Sequence, residues 1–259
     1  MPSNPIDEFN ASETSLYWDS PEAVKAYTLE PFFYPGEKYA FNLHYPNGLH
    51  SLKILDIGCG SGRSTRMLHG MGADLVGVDI SRHLIEVARA LAPTIEYHVA
   101  DAQSLPFPDS VFDAVLFSFN GLDYVYPKAN RDRAVTEVRR VLKSGGRFIV
   151  SHHNSAALIF GLRDILTPGL VAFRLKQIAV GNAFRAECYV HDTGHPEVLT
   201  YYCWPGKMIA DMKRSGFDLR SIHPNSPKAA AVDRIISNHF FSRLTELWLY
   251  YVFQKAATL

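Results

Sequence analysis

The chain has 259 residues, 47% of them apolar and 20% charged, with 26 basic and 26 acidic side chains and a formal net charge of zero. That balance, without a lysine/arginine block, excludes a general electrostatic pull on nucleic acid. Three scattered cysteines (Cys59, Cys188, Cys203) exclude a disulfide framework or a zinc site and fit a reducing, cytoplasmic setting.

Residues 1–16 are polar and hold two prolines, so they read as a loose terminus. Residues 17–27 read as a capped helix, with Ser20 as N-cap and Pro21 at the first helical position. "LKILDIG" is then a buried strand, "RSTRMLHGM" a helix and "DLVGVD" a second strand. "SRHLIEVARALA" is a helix capped by Ser81, "IEYHVAD" a third strand and "FDAVLFSFN" a fourth. "NRDRAVTEVRRVL" is a helix stopped at Gly145 and Gly146, and "RFIVS" is a fifth strand. Strands alternating with helices at this spacing predict a parallel sheet, and the near-continuous apolar strands predict helices on both of its faces.

After residue 151 the rhythm breaks. The apolar stretch at 155–180 is interrupted by Arg163, Asp164, Pro168, Arg174 and Lys176, so it reads as a buried helical insert or an interfacial helix pair and not as a membrane span. The opening residues do not read as a secretory leader. Residues 184–204 read as a hairpin with its turn at His191–His195. "PGKMIADMKRSGF" is a helix, "DLRSIHP" a strand and "LWLYYVFQK" a final aromatic strand. No repeat or linker divides the chain, so residues 1–259 read as a single domain.

The stretch "ILDIGCGSGRST" puts glycines at 58, 60 and 62, just where a strand ends. A dinucleotide loop, G-x-G-x-x-G, matches Gly58 and Gly60, but Arg63 stands where the third glycine belongs. A phosphate-binding Walker loop fails because no G-K-[ST] follows. Asp56, an acid at the strand end, disfavours a pyrophosphate and suits a cation. S-adenosylmethionine carries a sulfonium and an ammonium group and no phosphate.

"LDIGCGSGRS" resembles the first motif of the class I S-adenosylmethionine-dependent methyltransferases, of the small-molecule type. "VGVDIS", "VADAQSLPFPDSVFDAV" and "EVRRVLKSGGRFIVS" resemble the later parts of that family's pattern, in the same order. The resemblance implies an α/β fold with a Rossmann-like, seven-stranded, mostly parallel sheet, an antiparallel last strand and a lid insert after strand 5. It implies lid helices at 1–48, a cofactor-binding half at 49–151, a substrate-lid insert at 152–202 and a closing helix with antiparallel strands at 203–259. The implied cofactor is S-adenosyl-L-methionine, with S-adenosyl-L-homocysteine as product. Its implied contacts are Asp56, the backbone of Gly58, Cys59 and Gly60, Asp79 for the ribose hydroxyls, Ile80 beside it, Asp101 for the adenine amine, Ala102 and Asn120. Taken alone, Asp79 also reads as a helix cap and Asp101 as an ordinary loop acid.

The acceptor side is less legible. "FNGLDYV" follows the fourth strand where methyltransferases of exocyclic amines carry [DN]-P-P-[YF], which argues against nucleic acid. His152 and His153 follow the fifth strand and are the candidate catalytic bases; a structural pair bonded to loop backbone is the other reading. A magnesium site would need an oxygen cluster that the sequence does not display, so no metal is expected. Aromatics at 27–41 and 184–204 suit a small, partly apolar acceptor, and equally a core. The expected activity is O-, N- or C-methylation of a small molecule, without stable membrane insertion and with oligomeric state open. The rivals are a cofactor-binding protein without transfer and a methyltransferase of macromolecules.

Overall fold

A computed structural model describes residues 16–161, 168–191, 198–226 and 240–257. The segment read as a loose terminus and the hairpin turn with His195 lie outside these residues, the first apart from Leu16.

Two helices, α1 (Pro21–Tyr27) and α2 (Pro35–His44), precede the sheet. Ser20 caps α1 as its residue type predicts, its hydroxyl accepting from the Ala23 amide at 3.2 Å. Then follow β1 (Lys53–Ile57), α3 (Arg63–Gly70), β2 (Asp74–Asp79), α4 (Arg82–Leu91), β3 (Glu96–Val99) and β4 (Phe112–Phe117). A 3-10 turn, Gly121–Tyr124, leads into α5 (Lys128–Val141) and the long β5 (Leu142–Asn154). The insert supplies α6 (Ala156–Phe160), α7 (Pro168–Ala179), β6 (Glu187–His191) and β7 (Leu199–Cys203). The chain closes with α8 (Pro205–Arg214), β8 (Phe217–Pro224), α9 (Phe240–Thr245) and β9 (Trp248–Lys255).

Strands β3, β2, β1, β4 and β5 run parallel in that order, and β9 pairs antiparallel with both β5 and β8. These seven strands match the expected arrangement. Among the described residues the insert after β5 adds two further strands to this sheet, the hairpin β6–β7, which makes nine. The reason is simple. β5 continues to Asn154 after its pairing with β4 has ended at Phe117↔Val150, and β7 takes the free edge at His153↔Tyr202 and Asn154↔Cys203.

Alternate strand residues serve two cores. Leu55, Val115, Phe148 and Val150 pack with Ala134 and Val138 of α5 and Met208 and Met212 of α8. Ile54, Ala114, Leu116 and Ile149 pack on the opposite face with Phe41 of α2, Leu68 of α3 and Ile85 and Ala88 of α4. Period-two alternation into two helical layers is what places every parallel strand's carboxyl end along one edge. Among the described residues no helix is long and apolar enough to cross a membrane.

Candidate functional site

A cavity of about 410 Å³ lies at that edge. Its wall includes Gly58, Gly60, Asp79, Ile80, Asp101 and Ala102, six of the residues singled out from the sequence. Six aromatic side chains line it as well: Trp18, Tyr27, Phe117, Phe119, Tyr124 and Tyr126.

The glycine loop is held in a left-handed shape by its neighbours. Gly60 has φ +56°, and a Cβ there would meet nothing nearer than the Tyr27 carbonyl at 3.9 Å. The loop therefore offers bare backbone to whatever fills the cavity. Gly62, φ +83°, opens α3, and a side chain there would strike the Tyr97 hydroxyl at 2.5 Å. It performs the close-packing task that a dinucleotide loop gives to the following position. Asp79 holds the loop from the next strand: Oδ2 accepts from the Gly60 amide at 2.8 Å and Oδ1 from the Ser81 amide at 2.9 Å. Burial raises its pKa against these bonds. Asp101 is exposed, and its carboxylate accepts from the Gln103 amide at 2.9 Å.

Three sequence-selected residues stand behind the wall instead of on it. Asp56 is buried, and its Oδ2 accepts from the Ser64 and Thr65 hydroxyls, each at 2.7 Å. Burial pushes its pKa up to about 6, and its partners are the first turn of α3. Its carboxylate ties the end of β1 to the start of α3, on the far side of the glycine loop. Cys59 is buried with its thiol pKa pushed up by burial, and its backbone amide bonds the Val78 carbonyl at 3.1 Å. Asn120 sits in the left-handed region (φ +60°) and turns its side chain inward, while its neighbours Phe119 and Gly121 line the cavity.

The histidine pair is also drawn away from the wall. Asp123, fully buried in the 3-10 turn, accepts from His152 Nδ1, from His153 Nδ1 at 2.9 Å and from the His153 amide at 2.7 Å. His152 Nε2 meets the Cys203 thiol at 2.9 Å, so both of its ring nitrogens are occupied, and burial holds its pKa below the ordinary value. Since an ionised Asp123 takes Nδ1–H from each ring, His153 Nε2 is left as an acceptor for the Asn120 side-chain Nδ2 at 3.3 Å. Neither histidine is among the residues that line the cavity. The reason is Asp123, whose carboxylate is close enough to β5 to bind two successive residues of that strand.

Burial alone would raise the Asp123 pKa, but the two imidazoles overcome it and hold it down at about 2. A depressed carboxyl contributes stability above its ordinary value of 3.8, and this is lost as pH falls through about 2. Asp123→Asn is accordingly expected to remove about 2 kcal/mol at neutral pH and to flatten the acid limb of stability against pH. Urea unfolding from neutral pH to about pH 2 reads it; a variant with an unchanged acid limb would show that Asp123 is not the group responsible.

Sequence reasoning missed the clasp over the loop. Arg63 donates to Glu37 through Nη1 (2.9 Å) and Nη2 (2.6 Å), and Nη1 also reaches the Phe32 carbonyl at 2.7 Å. Glu37 is fully buried and also accepts from the Tyr34 amide at 2.7 Å and from the Ser118 hydroxyl. Ser61 bridges Tyr27 and Leu29, and Arg66 donates to the Leu29 carbonyl. Asp19 accepts from Ser81 and His83 at the start of α4. These bonds bring Trp18 and Tyr27, which meet edge to face at 5.2 Å, over the glycine loop. A conspicuous signal was present: Arg63 replaced an expected glycine with the one side chain suited to a buried bidentate pair.

A protein-family model described as a methyltransferase domain matches residues 55–150. The demethylmenaquinone methyltransferase of Thermus thermophilus is 36% identical over 65% of this chain and 75% of that protein. That of Renibacterium salmoninarum is 35% identical over 54% of this chain and 56% of that protein, so the chain spans about half the length of the first curated relatives it matches. In shape, the chain is similar to a 1,6-didemethyltoxoflavin-N1-methyltransferase of Burkholderia thailandensis, with a TM-score of 0.62 at 13% identity over 99% of this chain and 92% of the other. At that identity the likeness is one of fold.

Proposed function

This chain belongs to the class I S-adenosylmethionine-dependent methyltransferases, and from that premise we propose that it methylates a small, partly apolar acceptor seated against the aromatic side chains of the cavity. The observation that carries the reading is that a single cavity is lined both by Gly60, Asp79 and Asp101 and by Phe119, Tyr124 and Tyr126. The residues present suit the family's cofactor. Gly60 offers a cradle that a Cβ would fill, Asp79 and Asp101 provide carboxylates for hydroxyl and amine donors, and Ile80 and Ala102 add apolar surface. When bound, S-adenosylmethionine supplies a methyl group on a sulfonium, a leaving group that needs no protonation.

The chain's own work is then positioning and exclusion of water. Trp18 and Tyr27 cover the loop, Phe117 and Phe119 end β4 against the cavity, and Tyr124 and Tyr126 close it from the following turn. Relatives named as demethylmenaquinone methyltransferases make a demethylated quinone a candidate acceptor; the O-, N- or C-nature of the nucleophile follows from the acceptor. With both histidines behind the wall, the supported reading is transfer by proximity to an acceptor that arrives ready to react.

The test is calorimetric titration with S-adenosylmethionine, then turnover with a labelled methyl donor on candidate acceptors. His152→Gln and His153→Gln are expected to keep turnover within about tenfold and to keep cofactor affinity. A loss of about a hundredfold in kcat in a folded His153→Gln protein, with a rate rising through about pH 6.5 in the parent, would restore a histidine base. Cofactor binding with no transfer to any acceptor would favour a binding protein without transfer.

A further inference from the structure

Helix α7 carries apolar side chains on both sides. On the side facing the protein, Phe173 and Ile178 pack against the cluster of Leu158 and Tyr202, Gln177 is 5% exposed and accepts from Asn182 at 2.8 Å, and Arg174 donates to the Leu158 and Ile159 carbonyls at 3.2 and 3.3 Å. On the other side Leu175 is 61% exposed, and Val180 and Phe184 just beyond the helix are 55% and 67% exposed. Apolar area of that size left in water forgoes its transfer free energy. Spacing explains the shared direction: Ala172, Leu175, Lys176 and Ala179 recur at three and four residues, on one helical stripe, and all are exposed.

The charged side chains of the helix and of the turn that follows it are all basic. Between Pro168 and Ala186 there is no aspartate or glutamate, in a chain with 26 acidic residues, while Lys176 and Arg185 are exposed beside the apolar side chains. A second copy of the chain meeting this face across a two-fold axis would set these cations against each other with no acid of the same stretch to pair them. Apolar side chains fringed by unopposed cations match a lipid surface with anionic headgroups, where the side chains enter the acyl boundary and the cations stay at the phosphates.

We propose that the outer face of α7, continued through Val180 and Phe184, docks on an anionic lipid bilayer. The helix is seated on β7, with Phe173 on its inner side 6.4 Å, ring to ring, from Tyr202. The proposal concerns attachment to the surface and is independent of the reaction proposed above.

Flotation of the whole chain with vesicles of phosphatidylglycerol and phosphatidylcholine, and with vesicles of phosphatidylcholine alone, tests it. The chain is expected to float with the anionic vesicles and, at higher salt, to be released. Lys176→Glu/Arg185→Glu and Val180→Ser/Phe184→Ser should each weaken binding about tenfold or more. Both pairs are solvent-facing, so unchanged circular dichroism confirms folding. Failure to float with anionic vesicles overturns the proposal, as does binding that neither pair weakens. A fall in sedimentation coefficient in the Val180→Ser/Phe184→Ser variant would assign the face to a second copy instead. Reduced thermal stability in either pair without change in flotation would assign it to the chain's own residues.

Discussion

Glu37→Ala is expected to destabilise the protein by about 3–5 kcal/mol, because it leaves the Arg63 guanidinium buried without its counter-charge. Both partners are almost wholly inaccessible, and the pair is bidentate, so water cannot replace the lost carboxylate without opening the packing of α2 on the glycine loop. The loss extends beyond the pair. The Tyr34 amide and the Ser118 hydroxyl also donate to Glu37, and the Arg63 guanidinium lies 4.9 Å from the Phe32 and Tyr34 ring centroids. Denaturant unfolding measures the change. The double variant Glu37→Leu/Arg63→Met should recover much of it, since removing both charges removes the uncompensated one. A single variant within about 1 kcal/mol of the parent would mean that water reaches Arg63 and that the clasp is weaker than its geometry implies.

Asp79→Ala is expected to weaken S-adenosylmethionine by about 1.5–3 kcal/mol, roughly ten- to 150-fold in affinity. Two effects combine. The carboxylate ties Gly60 to Ser81 and so sets the loop against the start of α4, and in this family it is the expected partner of the ribose hydroxyls. Asp101→Ala should lose less, because Asp101 is exposed and its charge is solvated and screened. Titration calorimetry with both variants gives the order. Equal affinities for the Asp79→Ala protein and its parent, in a folded chain, would remove Asp79 from the cofactor site.

The alternation of short apolar runs with helical patterns was readable because it depends on neighbours in sequence. Ile54, Leu55 and Ile57 bury themselves in β1 whatever the rest of the chain does, and Ser20 and Ser81 cap the helices that follow them. The left-handed conformations of Gly58, Gly60 and Gly62 belong to the same class, since only glycine enters that region without steric cost. Spacing also placed Asp79 and Asp101 correctly, because one strand–helix–strand unit always returns the chain to the same edge of a parallel sheet.

Contacts between distant segments were another matter. Arg63 looked like a failed glycine until Glu37 came to it from α2, and the sequence did not show that Ser64 and Thr65 turn back onto the Asp56 carboxylate. His152 and His153 follow the right strand, yet Asp123 holds both rings in the interior. The hairpin β6–β7 entered the sheet only because β5 outlasts its pairing with β4. By itself, the sequence determined the parallel sheet, its glycine loop and the acids at two strand ends, through local steric and hydrophobic preferences. Which polar side chains face the cavity and which are consumed in the core was decided by the tertiary structure, because a buried charge or imidazole must find its partner wherever folding places one.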